Sequence, residues 1–487
     1  MTGDNGLLTK ASAAQFKTEI VTYKEELDLS IINDEAETKG NRTEKYNETE
    51  YSKIKKLIPS FNRKYENVLV IQDDKLVYKG NDKELYKKAL EIGLISENDL
   101  LDDEILEELQ PFITEWTVEA GDSITLPLYG HTYAEDYNFT VSYGDGTRDY
   151  TITSSNDENK THTYEKSGKY RVTIKGRCPC FYFSKDSTSK DKITGIIQWG
   201  NVFHHDNKSS WGYNGANFKN CINLTGEIPE PSKNSFVNYT FTDGGIFYGC
   251  TGLTCSIPKK IFINAPTAVT KNTFQECTNI SGNIPEDLFK YSKGTSFASI
   301  FSGCKNLTGN IPEKLFINSE NVTDMTGVFE KCSGLTGSIP KKLFENCSNV
   351  ENFNSIFSGC SGLTGNIPEE LFENCPNVTN FGNIFSGCVG LTGNIPEKLF
   401  QNCPNVTTFW GTFNSCVGLT GNIPEKLFQN CLNAKNFYTT FKKCKGLTGN
   451  APALWERTNV TSSGSCFQEC TNLSNYSQIP SSWGGGA

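Results

Sequence analysis

The chain is short of the residues that usually build chemistry. It has four histidines in 487 residues, at His131, His162, His204 and His205. No Ser-His-Asp or Cys-His set can be ordered from them, and no phosphate-cradling glycine-rich loop precedes a helix. No apolar run reaches the roughly 18 residues that a membrane-spanning helix needs, so nothing is expected to span a bilayer. No secretory hydrophobic segment opens the sequence. Positive charge is scarce too: 46 Lys and Arg face 56 Asp and Glu, a formal net charge of -10. A general binder of nucleic acid or anionic membrane needs a basic patch, so that class is disfavoured. Methionine is reduced to two residues and hydrophobic residues make up 36%, which fits a polar-surfaced, exposed protein.

Cysteine and repetition are abundant. There are 18 cysteines, and ten mark one recurring motif, seen most plainly in Ile356-Phe-Ser-Gly-Cys-Ser-Gly-Leu-Thr-Gly-Asn-Ile-Pro368. They are Cys221, Cys250, Cys277, Cys304, Cys332, Cys360, Cys388, Cys416, Cys444 and Cys470, and from Cys304 to Cys444 each follows the last by 28 residues. Pro340, Pro368, Pro396, Pro424, Pro452 and Pro480 accompany them. A fixed period of this length predicts a solenoid, whose units bury their apolar faces only against neighbours and present a long repeated surface. That points to binding rather than catalysis. Cysteines at one repeat position read as small buried residues rather than a disulfide framework. Cys347, Cys375, Cys403 and Cys431 form a second such row. Cross-links through Cys255, Cys466 or the Cys178/Cys180 pair stay open.

A chain of this length exceeds one core, so several domains are expected. Residues 1–110 read as a small α+β domain. Its parts are an amphipathic helix over 11–33, a hairpin formed by 67–72 and 75–79, and a helix capped by Asp82. Residues 111–180 alternate apolar and polar residues between Gly- and Asp-rich turns, as a β-sandwich does. Residues 181–220 form a linker and cap, with Ile193–Trp199 as a capping strand, and 221–487 form the solenoid. Within one repeat, Leu363–Ile367 is a short strand with Leu363 and Ile367 facing inward. Pro368–Cys375 is a short helix, and Asn377–Cys388 is a second helical arc. Asn377 or Thr379 would cap that arc, and Gly387 or Gly390 would end it.

Residues 28 apart should stack on adjacent coils about 5 Å from each other. Two outward columns carry Thr364, Thr392, Thr420 and Asn366, Asn394, Asn422. They are either a ligand face or solvated ladders that keep the sheet soluble. A third column, Thr326, Asn354, Gly382, Trp410, Tyr438, turns aromatic. Trp410 and Tyr438 either offer stacking area to a sugar or a partner side chain, or pack on each other or on the C-terminal cap. Cys178-Pro-Cys180 with His204-His205 lacks a standard zinc spacing. Asp145, in Tyr143-Gly-Asp-Gly146, reads as a turn-stabilising side chain rather than a calcium ligand. No catalytic residue, metal or cofactor is expected.

Three stretches resemble known families. The Gly-Asp-Gly turn and the His162-Thr-Tyr164 ending before Gly168-Lys-Tyr-Arg-Val resemble PKD-type immunoglobulin-like domains, mostly spacers on extracellular proteins. The Phe-x-x-Cys-x-x-Leu and Asn-Val-Thr markers over about 196–483 resemble leucine-rich repeats of the BspA-like subfamily of bacterial surface proteins. Thr2-Gly-Asp-Asn-Gly-Leu-Leu-Thr-Lys-Ala11 and the helix after it resemble the stretch following the hydrophobic segment of type IV pilin-like proteins of Gram-positive bacteria. The last resemblance implies a prepilin segment missing before Met1, the one route to a membrane. Together they imply a multidomain α+β protein: an N-terminal pilin-like α+β domain, an immunoglobulin-like (PKD-type) β-sandwich and a C-terminal leucine-rich-repeat solenoid. The implied function is that of a non-enzymatic adhesin, extracellular, on the cell surface or a pilus. Its partners would be host glycoproteins, matrix proteins or bacterial surface ligands, with pilus subunits as further neighbours and no nucleic acid. The alternatives are a structural coat or pilus subunit without a specific ligand and, more remotely, a polymer hydrolase.

Overall fold

The computed structural model describes residues 69–72, 75–78 and 110–486, except 130–136, 184–186, 204–214, 232–244, 263–270, 291 and 293. The chain divides into two compact units, Met1–Glu108 and Leu109–Ala487. In the first, β1 (Leu69–Gln72) runs antiparallel to β2 (Lys75–Tyr78), with Leu69 opposite Tyr78. The helices expected over 11–33 and after Asp82 lie outside the described residues, as do His131, His204 and His205.

The second unit begins with alternating apolar residues that form β3 (Phe112–Val118), β4 (Ser123–Thr125), β5 (Asn138–Ser142), β6 (Tyr150–Ile152), β7 (Thr161–Thr163) and β8 (Gly168–Arg177). Then come β9 (Cys180–Tyr182), β10 (Ile193–Gln198) and β11 (Gly215–Asn217). One antiparallel sheet has the order β10-β3-β8-β5-β6, β4 pairs with β7, and β9 pairs in parallel with β11. The inward face of β3 is Phe112, Thr114, Trp116 and Val118. Thr114 is tolerated there because Trp116 Nε1 donates to its Oγ1 at 2.8 Å, which satisfies both buried polar groups. Gly144 opens the tight turn after β5 at φ 79°, and a Cβ there would come within 2.5 Å of the Arg171 carbonyl oxygen.

The sheet's core continues into the repeats. Phe218 stacks on Phe247 with ring centroids 5.8 Å apart, and Trp199 Nε1 donates to the Pro229 carbonyl at 2.7 Å. From there each repeat is a layer laid in register on the previous one. Phe301, Phe329, Phe357, Phe385, Phe413, Phe441 and Phe467 form one row, with centroids 5.4 to 6.0 Å apart and near-parallel planes. Phe316, Phe344, Phe372, Phe400 and Phe428 form another. Leu363 and Ile367 are buried at 0% and 2% exposure. Each such ring contributes about 1.5–3 kcal/mol by burial, and each ring pair about 0.5–1.5 kcal/mol more. Trp483 closes the stack against Phe467, and the Phe467 N–H donates to the Trp483 carbonyl at 2.9 Å.

This architecture overturns the expected class. A multidomain α+β protein with a pilin-like α+β domain, a PKD-type β-sandwich and a leucine-rich-repeat solenoid with helical arcs should show helices. Among the described residues there is no α-helix, only strands, turns, coil and the 3-10 segments Glu158–Lys160, Leu454–Glu456, Tyr476–Gln478 and Ser481–Trp483. The reason lies in where the backbone bonds go. Phe353, Ser355, Phe357 and Gly359 donate to the carbonyls of Asn380, Gly382, Ile384 and Ser386 in the next layer, at 3.1, 2.8, 3.0 and 2.7 Å. The intervening Ile356, Ser358 and Cys360 bond back three residues, to Phe353, Ser355 and Phe357. An α-helix would need those N–H groups for its own i-4 carbonyls. Ser355, Asn383 and Thr439, at equivalent places, have φ of 58°, 52° and 54°, left-handed values that no helix interior accommodates. Pro368–Cys375 is likewise a train of turns, with Leu371, Glu373 and Cys375 bonding back to Pro368, Glu370 and Phe372.

The expected helix caps serve the stack instead. Asn377 Nδ2 donates to the Ser348 carbonyl and Thr379 Oγ1 to the Glu351 carbonyl, at 3.0 and 3.1 Å, each in the preceding layer. Gly390 is where two layers touch: a Cβ on it would lie 2.4 Å from the Leu363 carbonyl oxygen.

Candidate binding surface of the repeat layers

The Thr and Asn columns are held by the edge of each layer. Thr364, Thr392 and Thr420 donate their N–H to the carbonyls of Gly337, Gly365 and Gly393, at 2.8, 2.8 and 2.9 Å. The inward neighbours Leu363 and Ile367 fix the alternation, and all six of Thr364, Thr392, Thr420, Asn366, Asn394 and Asn422 are exposed. The Asn side chains also lie against the next layer. A Cβ on Gly393 or Gly421 would meet Asn366 Oδ1 or Asn394 Oδ1 at 2.3 and 2.2 Å. These amides therefore double as packing groups over glycine.

The aromatic column is built by a row of short polar residues. Asn352, Asn380, Thr408 and Asn436 are joined layer to layer by parallel bridges. Each turns its side-chain oxygen to the N–H two residues on. Asn380 Oδ1 accepts from Gly382, Thr408 Oγ1 from Trp410 and Asn436 Oδ1 from Tyr438, at 2.8, 3.2 and 3.0 Å. This Asx-type turn presents the residue at that place to solvent. Trp410 and Tyr438 are 41% and 45% exposed. Among the described residues no ring contact joins them. Trp410 lies over Gly382, with Cε3 3.5 Å from where a Cβ would stand. Tyr438 lies over Gly464, with Cε2 3.2 Å from the corresponding point. The rings lean to opposite sides, each seated on a layer that carries no side chain there.

Two features of this surface escape a reading of single motifs, though the 28-residue register carries them. Lys435 and Lys442 share a layer with Tyr438, where the preceding layers have Thr407 and Thr379 in one column and Asn414 and Ser386 in the other. Elsewhere on the array, an open groove of about 1000 Å³ runs past Glu345, Glu373, Gln401 and Gln429. Leu432 on its rim is 72% exposed.

The thiols take no part in an exposed site. All 18 cysteines are free and buried. In the main row from Cys250 onward each sulfur donates to a phenylalanine carbonyl of the preceding layer, as Cys360 does to Phe329 at 2.9 Å and Cys388 to Phe357 at 3.0 Å. Burial pushes the Cys388 thiol up to about 12. The same cause raises Cys178 and Cys180, so neither offers a ready thiolate. Thr412 does the same work where earlier layers carry Ile356 and Ile384, donating to the Phe381 carbonyl at 3.0 Å.

Asp145 has both oxygens engaged. Oδ1 accepts from the Thr147 N–H and hydroxyl at 3.1 and 2.6 Å, and Oδ2 lies 2.6 Å from His162 Nε2. Burial alone would raise this carboxyl, but the hydrogen bonds from Thr147 and His162 outweigh it and hold the group at about 2. The His162 ring stacks on Tyr143 at 4.3 Å. Asp145 is thus a pin across its turn. Among the described residues no cluster of three or more His, Cys, Asp or Glu is arranged to hold a metal ion. Nor is any helix among them long and apolar enough to cross a membrane.

No curated protein matches the chain. The stacked layers do match a known family model, described as Mycoplasma protein of unknown function, DUF285, over residues 268–397 and again over 372–483.

Proposed function

We propose that this chain is a non-enzymatic, BspA-like bacterial surface protein, displayed on the cell wall or a pilus, whose stacked layers adhere to a protein or glycan. The match of residues 268–483 to DUF285 supports a repeat-protein reading of that region. The observation that carries the adhesive part is the aromatic pair. Trp410 and Tyr438 stand exposed on a column that is otherwise small or polar, and each reaches over a glycine of an adjoining layer. Large rings left in water at the surface of a well-packed array are recognition elements in this reading.

The test is an array of glycans and matrix proteins probed with the full chain and with Trp410→Ala/Tyr438→Ala. A specific hit lost in the double variant, with the circular dichroism spectrum unchanged, is the expected result. A hit that survives the double variant would move adhesion to another face, the exposed Thr364–Asn366 columns being next in line. Binding to nothing would favour the second reading, a structural coat, which the uniformity of those columns supports.

A further inference from the structure

The layer register shows how charge is distributed around the aromatic pair. Three residues before the aromatic place the column runs Thr323, Glu351, Thr379, Thr407, Lys435. Four residues after it, the column runs Glu330, Ser358, Ser386, Asn414, Lys442. From Glu351 in the first and Glu330 in the second, both pass through neutral residues to a lysine in the layer of Tyr438. The chain as a whole carries a net charge of -10, so this local reversal runs against the overall balance. Among the described residues of the array the ion pairs are Lys331–Glu330, Lys342–Glu345 and Lys445–Glu469. Among the described residues neither Lys435 nor Lys442 has an acidic partner, and Lys435 is exposed. Both lie in the layer of Tyr438, three residues before it and four after.

The platform has the shape of an extended ligand. Trp410 leans back over Gly382 and Tyr438 leans forward over Gly464. The pair therefore covers four successive layers, about 14 Å at ordinary strand spacing. Exposed rings spaced along the stack suit the C–H faces of sugar rings placed end to end. The flanking ammonium groups suit carboxylates projecting from such a chain.

Resting on the adhesive reading above, we propose that Trp410, Tyr438, Lys435 and Lys442 form a subsite for an acidic glycan, a short run of sugars bearing carboxylate groups. The rings supply contact area and the lysines supply selectivity for charge over neutral sugars of the same length. Because Lys435 is exposed and Lys442 half-buried, their share of the affinity is screened by salt, that of Lys435 more strongly.

The experiment titrates the full chain with a hyaluronan tetrasaccharide, whose carboxylates lie along the chain, with sialyllactose, whose carboxylate is terminal, and with neutral chitotetraose. Lys435→Thr and Lys442→Ser install the residues of sister layers, Thr407 and Ser386, so the stack already accepts them. Binding of either acidic probe, at least tenfold tighter than chitotetraose at low salt, is expected. The double lysine variant should lose that tenfold and the aromatic double variant should lose binding altogether; which acidic probe wins identifies the source of the carboxylate. Equal affinity for chitotetraose, or an unchanged affinity in the lysine variant, overturns the acidic-glycan inference and leaves adhesion through the rings standing. A matrix protein that binds through Trp410 and Tyr438 while no glycan does also overturns the inference alone. Failure of every probe and every array ligand overturns both.

Discussion

Truncating Phe385 to alanine should break the stack in its middle. The ring is fully buried, 5.9 Å from Phe357 below and 5.7 Å from Phe413 above, with planes 7° and 19° apart. The space it leaves cannot close by sliding, because the layers on both sides are pinned. Phe357 donates to the Ile384 carbonyl at 3.0 Å and Phe385 to the Thr412 carbonyl at 2.9 Å. A buried Phe→Ala change costs about 3–5 kcal/mol when the site relaxes little. Two lost ring pairs, at about 0.5–1.5 kcal/mol each, push the figure to the upper end. The expected loss is about 4–5 kcal/mol, a factor of roughly a thousand or more in the unfolding equilibrium. Urea titration followed by circular dichroism and tryptophan fluorescence would measure it. Because each layer touches only its neighbours, the transition should also split, the segments on either side melting separately. Phe385→Leu, which keeps most of the volume, should lose far less and keep a single transition. A loss below about 1 kcal/mol for Phe385→Ala, or equal losses for the two variants, would refute the claim that the aromatic row carries coupling between layers.

Two other outcomes follow from the same contacts. Asp145 is held at about 2 in the folded chain, below the ordinary carboxylate value of about 3.9. Its stabilisation is therefore present above that unfolded value and fades as pH falls through about 2. Thermal melts from neutral pH to pH 2 should show an acid limb that Asp145→Asn makes shallower, with a lower melting point at neutral pH; an identical limb in the variant would contradict the pin. The 18 buried thiols should resist a thiol-directed reagent at neutral pH in the native state and all react after denaturation. Rapid labelling of several cysteines in folded protein, read by intact mass, would show that the rows are not closed.

The parts of this structure legible from sequence are those that depend on period alone. The 28-residue beat gives the columns, so the burial of Leu363, Ile367, Phe372 and Cys375 follows from counting, while for Trp410 counting left exposure and packing on a neighbour equally open. What the sequence hides is the choice of hydrogen-bond partner. Apolar residues three and four apart in Asn377–Cys388 suit a helix, and they equally suit turns that alternate between bonding back three residues and bonding to the next layer. Only the second leaves an N–H for each neighbouring layer, and the stack supplies the acceptors that an isolated peptide would lack. Left-handed backbone at Ser355 or Thr439 has no residue signature, since neither is glycine. For the candidate site, the aromatic column was countable, but the glycine seats of Gly382 and Gly464 needed the direction in which each ring leans. Lys435 and Lys442 were readable in principle, by following how composition drifts along a column rather than asking what any one repeat contains.

The hydrogen bonds between layers also bear on how such a chain can change its length. A layer's upper surface offers the same carbonyls that its lower surface requires, and its phenylalanines meet copies of themselves. Duplicating or deleting one whole 28-residue unit within the regular stretch from Cys304 to Cys444 would therefore create no foreign joint. Tandem recombination in the coding sequence would lengthen or shorten the molecule while the closing Trp483 and the opening sheet stayed as they are. Reach could then change by whole layers without any new kind of contact between them.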